Sequence, residues 1–386
     1  MKQKRVSDYK DKIFRHKLTV VYKTILVIVL CAVVLTGVKI YRDNQVYHSY
    51  EVVQATPRVG TYVSIFQNYQ GNMLVYSKDG ISAYDKKGNQ LWNQTYEMQE
   101  PVVRTNGAYV TVCDYQGSVF YVMDQSGPVT SVETNMQILE MAVSESGVIG
   151  AALLDDDVVL LKLYTKSGDL ISEIKTTMRQ SGYPVSFAIS PDNIKVAVSY
   201  LKPEGGRINS SLAFYNFGGV GQNETDNLVS GYDYEDQIFP LVVYPNETTA
   251  VAAGDRNILL MKGKQKPTLD KEIALEEEIS AFYYNETNLA IVSRDHEQAG
   301  AYDVTVYDMN GKKQLSQKID FAYKDIIVED HRIIIYNEAR VMVLGLNGVT
   351  KYDGDIGGNI QALIPLGADN EFLGVFEDGI RLIKLR

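Results

Sequence analysis

The sequence AYDKKGNQLW at residues 83–92 returns in related form at other places along the chain. Each copy is an apolar or aromatic strand end, then a polar turn with Gly, then a returning strand. The other copies are YVMDQSGPV at 121–129, LYTKSGDLI at 163–171 and VYDMNGKKQL at 306–315. Copies of one hairpin at fairly even spacing indicate an architecture built by repetition.

The unit around the first hairpin contains four short strands. They are YVSIFQNY from Tyr62, NMLVYS from Asn72, GISAYD from Gly80 and QLWNQTY from Gln90. Strands resembling the second of these recur at spacings of 35 to 55 residues, near Met73, Ala108, Val148, Ile194, Thr249, Asn288, Arg332 and Glu371. The sequence therefore predicts an all-β fold, an eight-bladed β-propeller of four-stranded antiparallel blades. If one copy is an insertion, the ring has seven blades.

The last repeat ends at GIRLIKLR, which is only its third strand. The segment SYEVVQA, residues 49–55, lies just before the first inner strand. We expect this segment to supply the missing outer strand, because a ring closed in this way leaves no open sheet edge to aggregate.

Residues 18–38 form an apolar run of 21 residues with one charge, Lys23. At about 1.5 Å per residue this run is long enough to cross the hydrocarbon layer of a membrane, which is about 30 Å thick. Seven Lys or Arg precede the run and two follow closely, so the positive-inside rule places the N-terminus in the cytoplasm. We predict a basic cytoplasmic tail over 1–17, a transmembrane helix over 18–40, a linker over 41–48 and an extracytoplasmic propeller over 49–386.

A cleaved signal peptide is the alternative, because it also combines a basic start with an apolar segment. The apolar run is longer than the roughly 7–15 residues usual for a signal peptide, and GVKIYRDNQVYHSY after it has no small-x-small cleavage site. The sequence thus favours an uncleaved signal-anchor. Cys31 lies in the run and Cys113 in a predicted strand, so the outer domain has no internal disulfide, which favours a bacterial cell surface.

The net charge of −10 hides an asymmetry between the two ends of the chain. Residues 1–42 hold ten Lys or Arg against two Asp, so residues 43–386 hold the remaining 28 basic and 46 acidic residues, a balance of −18. Phosphate backbones repel so acidic a domain, which argues against nucleic acid as a partner. A basic or cationic partner fits better.

The unit YD-x-x-G-x-x-LW at 84–92 resembles the repeats of PQQ-like and WD40-like propellers. Over residues 49–386 the layout also resembles a bacterial family of single-span, membrane-anchored propellers. The resemblance implies a closed ring with one functional rim, and it implies no particular reaction. Quinone-binding members of the PQQ-like class resemble one another in repeated Trp residues, whereas this chain has a single Trp, Trp92, and no adjacent Cys pair. No cofactor residue carries over, and we predict no cofactor.

The hairpins between second and third strands all emerge on one rim of a propeller, because each blade repeats the same meander. Carboxylates are frequent in these hairpins, which predicts an acidic rim that binds a basic protein patch, a cationic polymer or a divalent cation. The alternative is that Asp occurs there because it favours tight turns. The run at 155–157 lacks the spacing and Gly of a calcium loop, so we predict no dedicated metal site. The candidate partner-binding residues on this rim are Asp79, Asp114, Asp155, Asp156, Asp157, Asp255, Asp295 and Asp378.

The fourth repeat has the longest stretches outside predicted strands, LKPEGGRINSS from Leu201 and NFGGVGQNETDNLVSGYDYEDQ from Asn216. Insertions in a rigid repeat commonly carry binding surfaces, and the alternative is a flexible insertion without function. Aromatic area and negative charge together suit contact with a protein or sugar. The residues that combine them here complete the candidate set: Tyr232, Tyr234, Glu235 and Asp236.

Signals for catalysis are weak in this sequence. His16 precedes the apolar run and His48 follows it, while His296 and His331 belong to the predicted ring without metal-binding spacing. No G-x-S-x-G nucleophile elbow occurs. We therefore predict a non-catalytic binding or scaffold module at the cell membrane, for a protein or envelope polymer. The alternatives are a propeller enzyme, an oxidoreductase or hydrolase using the central channel, and a ligand sensor that signals through the single span.

Overall fold

The strands of this chain form a closed ring of sheets. The computed structural model describes residues 2–61, 63–295, 298 and 300–386, and within them 32 strands make eight antiparallel sheets of four strands. Each sheet is one blade, and the first strands of neighbouring blades lie side by side around a central channel. The chain is an eight-bladed β-propeller, as the sequence predicts. Tyr62, with which we expected the first inner strand to begin, lies outside the described residues, and that strand begins at Ile65.

The strands are numbered in chain order and take four positions in the blades, from the channel outward. The innermost strands of blades 1 to 8 are β2 (Ile65–Tyr69), β6 (Pro101–Asn106), β10 (Gln137–Val143), β14 (Tyr183–Ile189), β18 (Leu241–Asn246), β22 (Ile279–Tyr284), β26 (Asp325–Val328) and β30 (Ile360–Pro365). The second strands are β3 (Asn72–Ser77), β7 (Tyr109–Asp114), β11 (Ile149–Asp155), β15 (Lys195–Glu204), β19 (Thr249–Ala253), β23 (Asn288–Arg294), β27 (Arg332–Tyr336) and β31 (Glu371–Phe376). The third strands are β4 (Gly80–Tyr84), β8 (Val119–Asp124), β12 (Val158–Tyr164), β16 (Arg207–Asn216), β20 (Asn257–Lys262), β24 (Tyr302–Asp308), β28 (Arg340–Gly345) and β32 (Ile380–Leu385). The outermost strands are β5 (Gln90–Thr95), β9 (Gly127–Glu133), β13 (Leu170–Thr177), β17 (Leu228–Tyr234), β21 (Thr268–Ala274), β25 (Lys313–Ile319), β29 (Thr350–Asp355) and β1 (Tyr50–Thr56). The helical segments are α1 (Lys2–Asp43), the single turn α2 (Met178–Ser181) and two 3-10 turns (Gly221–Asn223 and Thr225–Asn227).

The hydrophobic core is divided among the interfaces between blades. Each of the eight clusters of buried side chains joins two neighbouring blades, including blades 8 and 1. Strand β20 shows how one strand serves two clusters. Leu259 and Met261 pack toward blade 4, whereas Ile258 and Leu260 pack toward blade 6. Successive residues of a strand point to opposite faces, so a strand buried on both faces is expected to be mainly apolar, as most positions of the second and third strands are.

Strand β1 closes the ring by pairing with the last strand of the chain. β1 is antiparallel to β32, with Tyr50 opposite Leu385 and Thr56 opposite Ile380. The outer strand of blade 8 therefore comes from the beginning of the domain and its other three strands come from the end. This confirms the predicted role of residues 49–55.

Two rims are distinguished by the connections that they carry. The helix rim holds the turns between first and second strands and between third and outermost strands. The distal rim holds the turns between second and third strands and the connections from one blade to the next. Helix α1 meets the ring on the helix rim. There Nη2 of Arg42 lies 3.0 Å from a carboxylate oxygen of Asp369, and Nδ2 of Asn347 donates to the carbonyl of Asp43 at 3.2 Å.

The C-terminal part of α1 is apolar and extends away from the ring core. Residues Phe14–Asp43 contain an apolar segment in which no residue is buried, of the length and composition that a membrane span requires. An N-terminal signal sequence meets the same criteria. Beyond the helix the chain stays in contact with the ring: Tyr47 is buried and its N–H donates to the carbonyl of Lys351 at 2.7 Å. The segment predicted as a linker is thus bonded to blade 7.

A buried ion pair stabilises the helix-rim turn of blade 4. The side chain of Lys195 is fully buried, and its Nζ lies 2.6 Å from the carboxylate of Asp192. Burial opposes ionisation of Asp192, but hydrogen bonds from Lys195 and Ser190 outweigh this effect and hold its pKa below the usual range. A buried charge of this kind is tolerated only while its partner is present.

The closure strand gives a first prediction. Replacing residues 50–53 with Gly-Ser-Gly-Ser should lower the thermal unfolding midpoint of the full chain by several degrees and promote aggregation, because the edge of β32 loses its partner. The matched control is the same replacement of residues 268–271 in β21, which are equally exposed but lie in an internal blade. Calorimetry with light scattering measures both effects. Equal midpoints for the two variants would contradict a special role for the closure.

The ion pair gives a second prediction. Asp192→Asn should lower the free energy of unfolding by about 3 kcal/mol, because it leaves the Lys195 ammonium buried without a counterion. A depressed carboxyl pKa contributes stability that is complete above the ordinary Asp pKa of about 4 and lost as the pH falls through the folded value. Denaturant unfolding should therefore show a wild-type advantage at pH 7 that narrows below about pH 4. A constant difference across this range would be inconsistent with the pair.

Candidate functional site

The distal rim is the more acidic face of the ring. Its turns and blade connections meet through backbone hydrogen bonds: the N–H of Tyr96 donates to the carbonyl of Asp79 at 3.1 Å, and that of Ile360 to Glu338 at 2.8 Å. By sequence, the connecting segments of this rim hold seventeen Asp or Glu against five Lys or Arg, a balance of −12. The connecting segments of the helix rim hold eleven Asp or Glu against six Lys or Arg, a balance of −5.

Six of the twelve candidate partner-binding residues are free carboxylates in the part of the chain that the structure describes. They are exposed side chains at the ends or in the turns of second and third strands, and no side-chain hydrogen bond or ion pair with another described residue engages them. Their charge is available to a partner in solution. These residues are Asp79, Asp155, Asp156, Asp157, Asp255 and, in the connection from blade 4 to blade 5, Glu235.

The other predicted carboxylates hold the rim together. The carboxylate of Asp114 accepts the backbone N–H of Glu100 at 2.7 Å and that of Gln99 at 3.1 Å, which ties the turn of blade 2 to the incoming connection. The remaining three form ion pairs: Asp236 with Arg207 at 3.0 Å, Asp378 with Arg381 at 2.7 Å, and Asp295 with Lys318.

The structure divides the long stretches of the fourth repeat between several places. Most of 201–211 lies in the paired strands β15 and β16, which extend the blade on the distal rim. Residues 217–227 lie on the helix rim, and Leu228–Tyr234 is the outermost strand of blade 4. Tyr232 and Tyr234 are half-buried in that strand, where their rings pack edge-on against Phe214 and Phe239. Only Glu235 and Asp236 reach the distal rim.

A cleft on the distal rim lies between blades 4 and 5. It has a volume of about 480 Å³ and brings Asp236 and Asp255 together with Glu272 and Glu278, which we did not single out from the sequence. Arg256 on its wall lies 3.1 Å from Glu278, and both side chains are largely exposed. The connections between blades supply most of the additional negative charge, above all the run of three Glu at 276–278.

The central channel contains charged side chains that the sequence analysis missed. A cavity of about 590 Å³ is lined by the inner strands of blades 2 to 6. Nη2 of Arg104 on β6 lies 3.4 Å from Oε2 of Glu140 on β10. Burial raises the pKa of Glu140, and the charge of Arg104 acts in the opposite direction. Each is the fourth residue of its inner strand, and the two side chains meet only when blades 2 and 3 pack together.

Neither the histidines nor other potential metal-binding side chains form a metal site among the described residues. His331 lies on the helix rim with Nε2 3.2 Å from Asp369, and His296 lies outside the residues that the structure describes. No group of three or more His, Cys, Asp or Glu among the described residues is placed to hold a metal ion.

The two kinds of rim carboxylate give a third prediction. Asp114→Ala should lower the free energy of unfolding by about 1–2 kcal/mol, because two backbone N–H groups lose their acceptor. Asp155→Ala, at an exposed and unpaired position, should leave it within about 0.5 kcal/mol of wild type. Urea unfolding of the two variants checks this difference. Equal losses would mean that the distinction between structural and free carboxylates is wrong.

Comparison with solved structures supports the fold alone. The yeast protein Sqt1 from Saccharomyces cerevisiae superposes with a TM-score of 0.56 at 8% identity, over 88% of this chain and 100% of that one. The computationally designed protein Ika8 gives 0.53 at 13% identity, over 89% and 99%. Apo AztD from Citrobacter koseri gives 0.52 at 9% identity, over 77% and 87%. No curated protein matches the chain in sequence. A family model matches residues 43–385, and the chain therefore belongs to the family of unknown function DUF5711.

Proposed function

We propose that this protein is a membrane-anchored extracytoplasmic scaffold whose distal rim binds a basic protein or a cationic envelope polymer. One observation carries the proposal: α1 joins the ring at the helix rim, so the rim with the larger negative charge lies on the opposite side. A ring held by α1 presents that face away from its attachment point. In this proposal α1 stays uncleaved and spans the membrane.

The orientation follows from the charges at the two ends of the apolar segment. Seven Lys or Arg lie within residues 1–17, before the apolar run, and this bias favours a cytoplasmic N-terminus. The ring then lies outside the cell. The direct contacts between the end of α1 and blades 7 and 8 keep the helix rim close to the membrane surface, which leaves the distal rim as the accessible face.

The electrostatics of the distal rim favour a cationic partner. A balance of −12 over one face produces a negative potential that concentrates cations and accelerates their association. Six of the predicted carboxylates are exposed and free of ion pairs among the described residues, so binding does not first have to break internal contacts. Such binding weakens as the salt concentration rises, because exposed charges are screened.

A second candidate function is a ligand sensor that signals through α1. The contacts of Arg42 and Asp43 with blades 7 and 8 favour it, because they couple the helix directly to the ring. A sensor requires a cytoplasmic partner for residues 1–17, whereas a scaffold does not.

The scaffold proposal gives a fourth prediction. The full chain, expressed in its native cells and cross-linked before purification, should capture a basic protein or polymer that the triple variant Asp155→Asn/Asp156→Asn/Asp157→Asn captures several-fold less. Neutralising three exposed carboxylates weakens the attraction without removing a contact inside the fold. Quantitative mass spectrometry of the captured material, with polymer analysis, measures the change.

The control for this experiment carries the same change in charge on the other rim. The variant Asp169→Asn/Glu224→Gln/Asp226→Asn removes three carboxylates from the helix rim and should capture as much as wild type. If the distal and helix-rim variants recover the same material in the same amounts, the distal rim is not the binding face and the proposal is wrong.

A further inference from the structure

The cavity in the channel has the size of a small-molecule site. Its volume of about 590 Å³ falls within the range of about 300–1,000 Å³ typical of ligand pockets. It runs along the whole of β18 and is also lined by Glu145 and Glu247, which belong to turns of the helix rim. The cavity therefore lies inside the ring and reaches its helix rim.

Among the described residues that line the cavity, Arg104 is the one basic side chain. Its side chain remains 44% exposed although it lies within the channel, and its hydrogen bonds are long: 3.4 Å to Glu140 and 3.4 Å to the carbonyl of Val103. A guanidinium has five N–H donors in a fixed fork that matches a carboxylate. Most of the donors of Arg104 are therefore left for a ligand.

Negatively charged side chains lie beside Arg104 and at the mouth of the cavity. Glu140 is 25% exposed next to the guanidinium, and Glu145, Glu247 and Glu286 lie in helix-rim turns that line the cavity. Tyr284 on blade 6, opposite blade 2 in a ring of eight, also lines the space and is 45% exposed.

We propose that the cavity binds a basic amino acid, with its carboxylate on Arg104, its α-amine on Glu140 and its side-chain amine toward the glutamates at the mouth. A ligand that carries both a carboxylate and an amine satisfies both members of the Arg104–Glu140 pair. Four glutamates against one arginine favour a ligand with a net positive charge. This site differs from the distal rim in place and in ligand, so it does not depend on the scaffold function.

Titration calorimetry of the full chain in nanodiscs, with L-lysine as the probe, tests the assignment. Cadaverine lacks the carboxylate of lysine, and 6-aminohexanoate lacks its α-amine. L-lysine should bind with a dissociation constant below about 1 mM, and each analogue should bind about tenfold or more weakly. Absence of saturable L-lysine binding, or equal affinity for L-lysine and both analogues, would overturn the proposal. This comparison uses the wild-type protein only and does not depend on variants that fold.

Variants then assign the contacts. Arg104→Met should weaken L-lysine about tenfold and leave cadaverine no weaker, because cadaverine has no carboxylate to lose. Glu140→Gln should weaken L-lysine and leave 6-aminohexanoate unchanged. Glu133→Gln, an exposed position on β9 with the same change in charge, is the control and should bind L-lysine as wild type does. L-lysine affinity that neither channel variant alters, with thermal unfolding showing both to be folded, would place the ligand elsewhere and refute the site.

Discussion

The packing of neighbouring blades against each other is the constraint on which the rest of the structure depends. A four-stranded sheet has two faces, and in this chain both faces of every blade are covered by the adjacent blades. No blade has a core of its own, so a blade is stable only between two others, and the first blade needs the last. The pairing of β1 with β32 is therefore a condition for the whole ring, because it fixes blade 8 against blade 1.

This constraint also separates the strand positions that must be apolar from the positions in turns and connections where the residue type can vary. Side chains in the second and third strands are fixed by the interfaces, whereas most positions in turns and connections are not, apart from a few buried residues such as Tyr96, Met98 and Phe239. The extended β15–β16 hairpin of blade 4 and the run of Glu at 276–278 are tolerated for this reason. Charge can accumulate on a rim without disturbing the core, since several connections meet the neighbouring turn through backbone hydrogen bonds that do not depend on the side chain.

The fold was predictable from the sequence because it is encoded locally. The Gly turns, the short apolar strands and the unpaired third strand at the end of the chain can each be recognised from a few adjacent residues. Together they were enough to predict eight blades and the closure of the ring. The channel pair was missed because Arg104 and Glu140 belong to different repeats and meet only after two blades pack. The sequence also does not show that the rings of Tyr232 and Tyr234 pack against Phe214 and Phe239, so it could not predict how much of these two candidate residues stays accessible.

The two rims differ in how many of their charged side chains are buried, and this difference bears on which face meets a partner. On the helix rim several charged side chains are buried in ion pairs within the fold: Lys195 is buried against Asp192, and Arg332 is buried against Glu329. Lys351, also buried, donates to the carbonyl of Arg42 at 3.1 Å. On the distal rim most of the predicted carboxylates extend into solvent and lack an ion-pair partner among the described residues. Like charges held close together without internal partners destabilise the ring that carries them. Such an arrangement is physically reasonable where the compensating charge comes from another molecule.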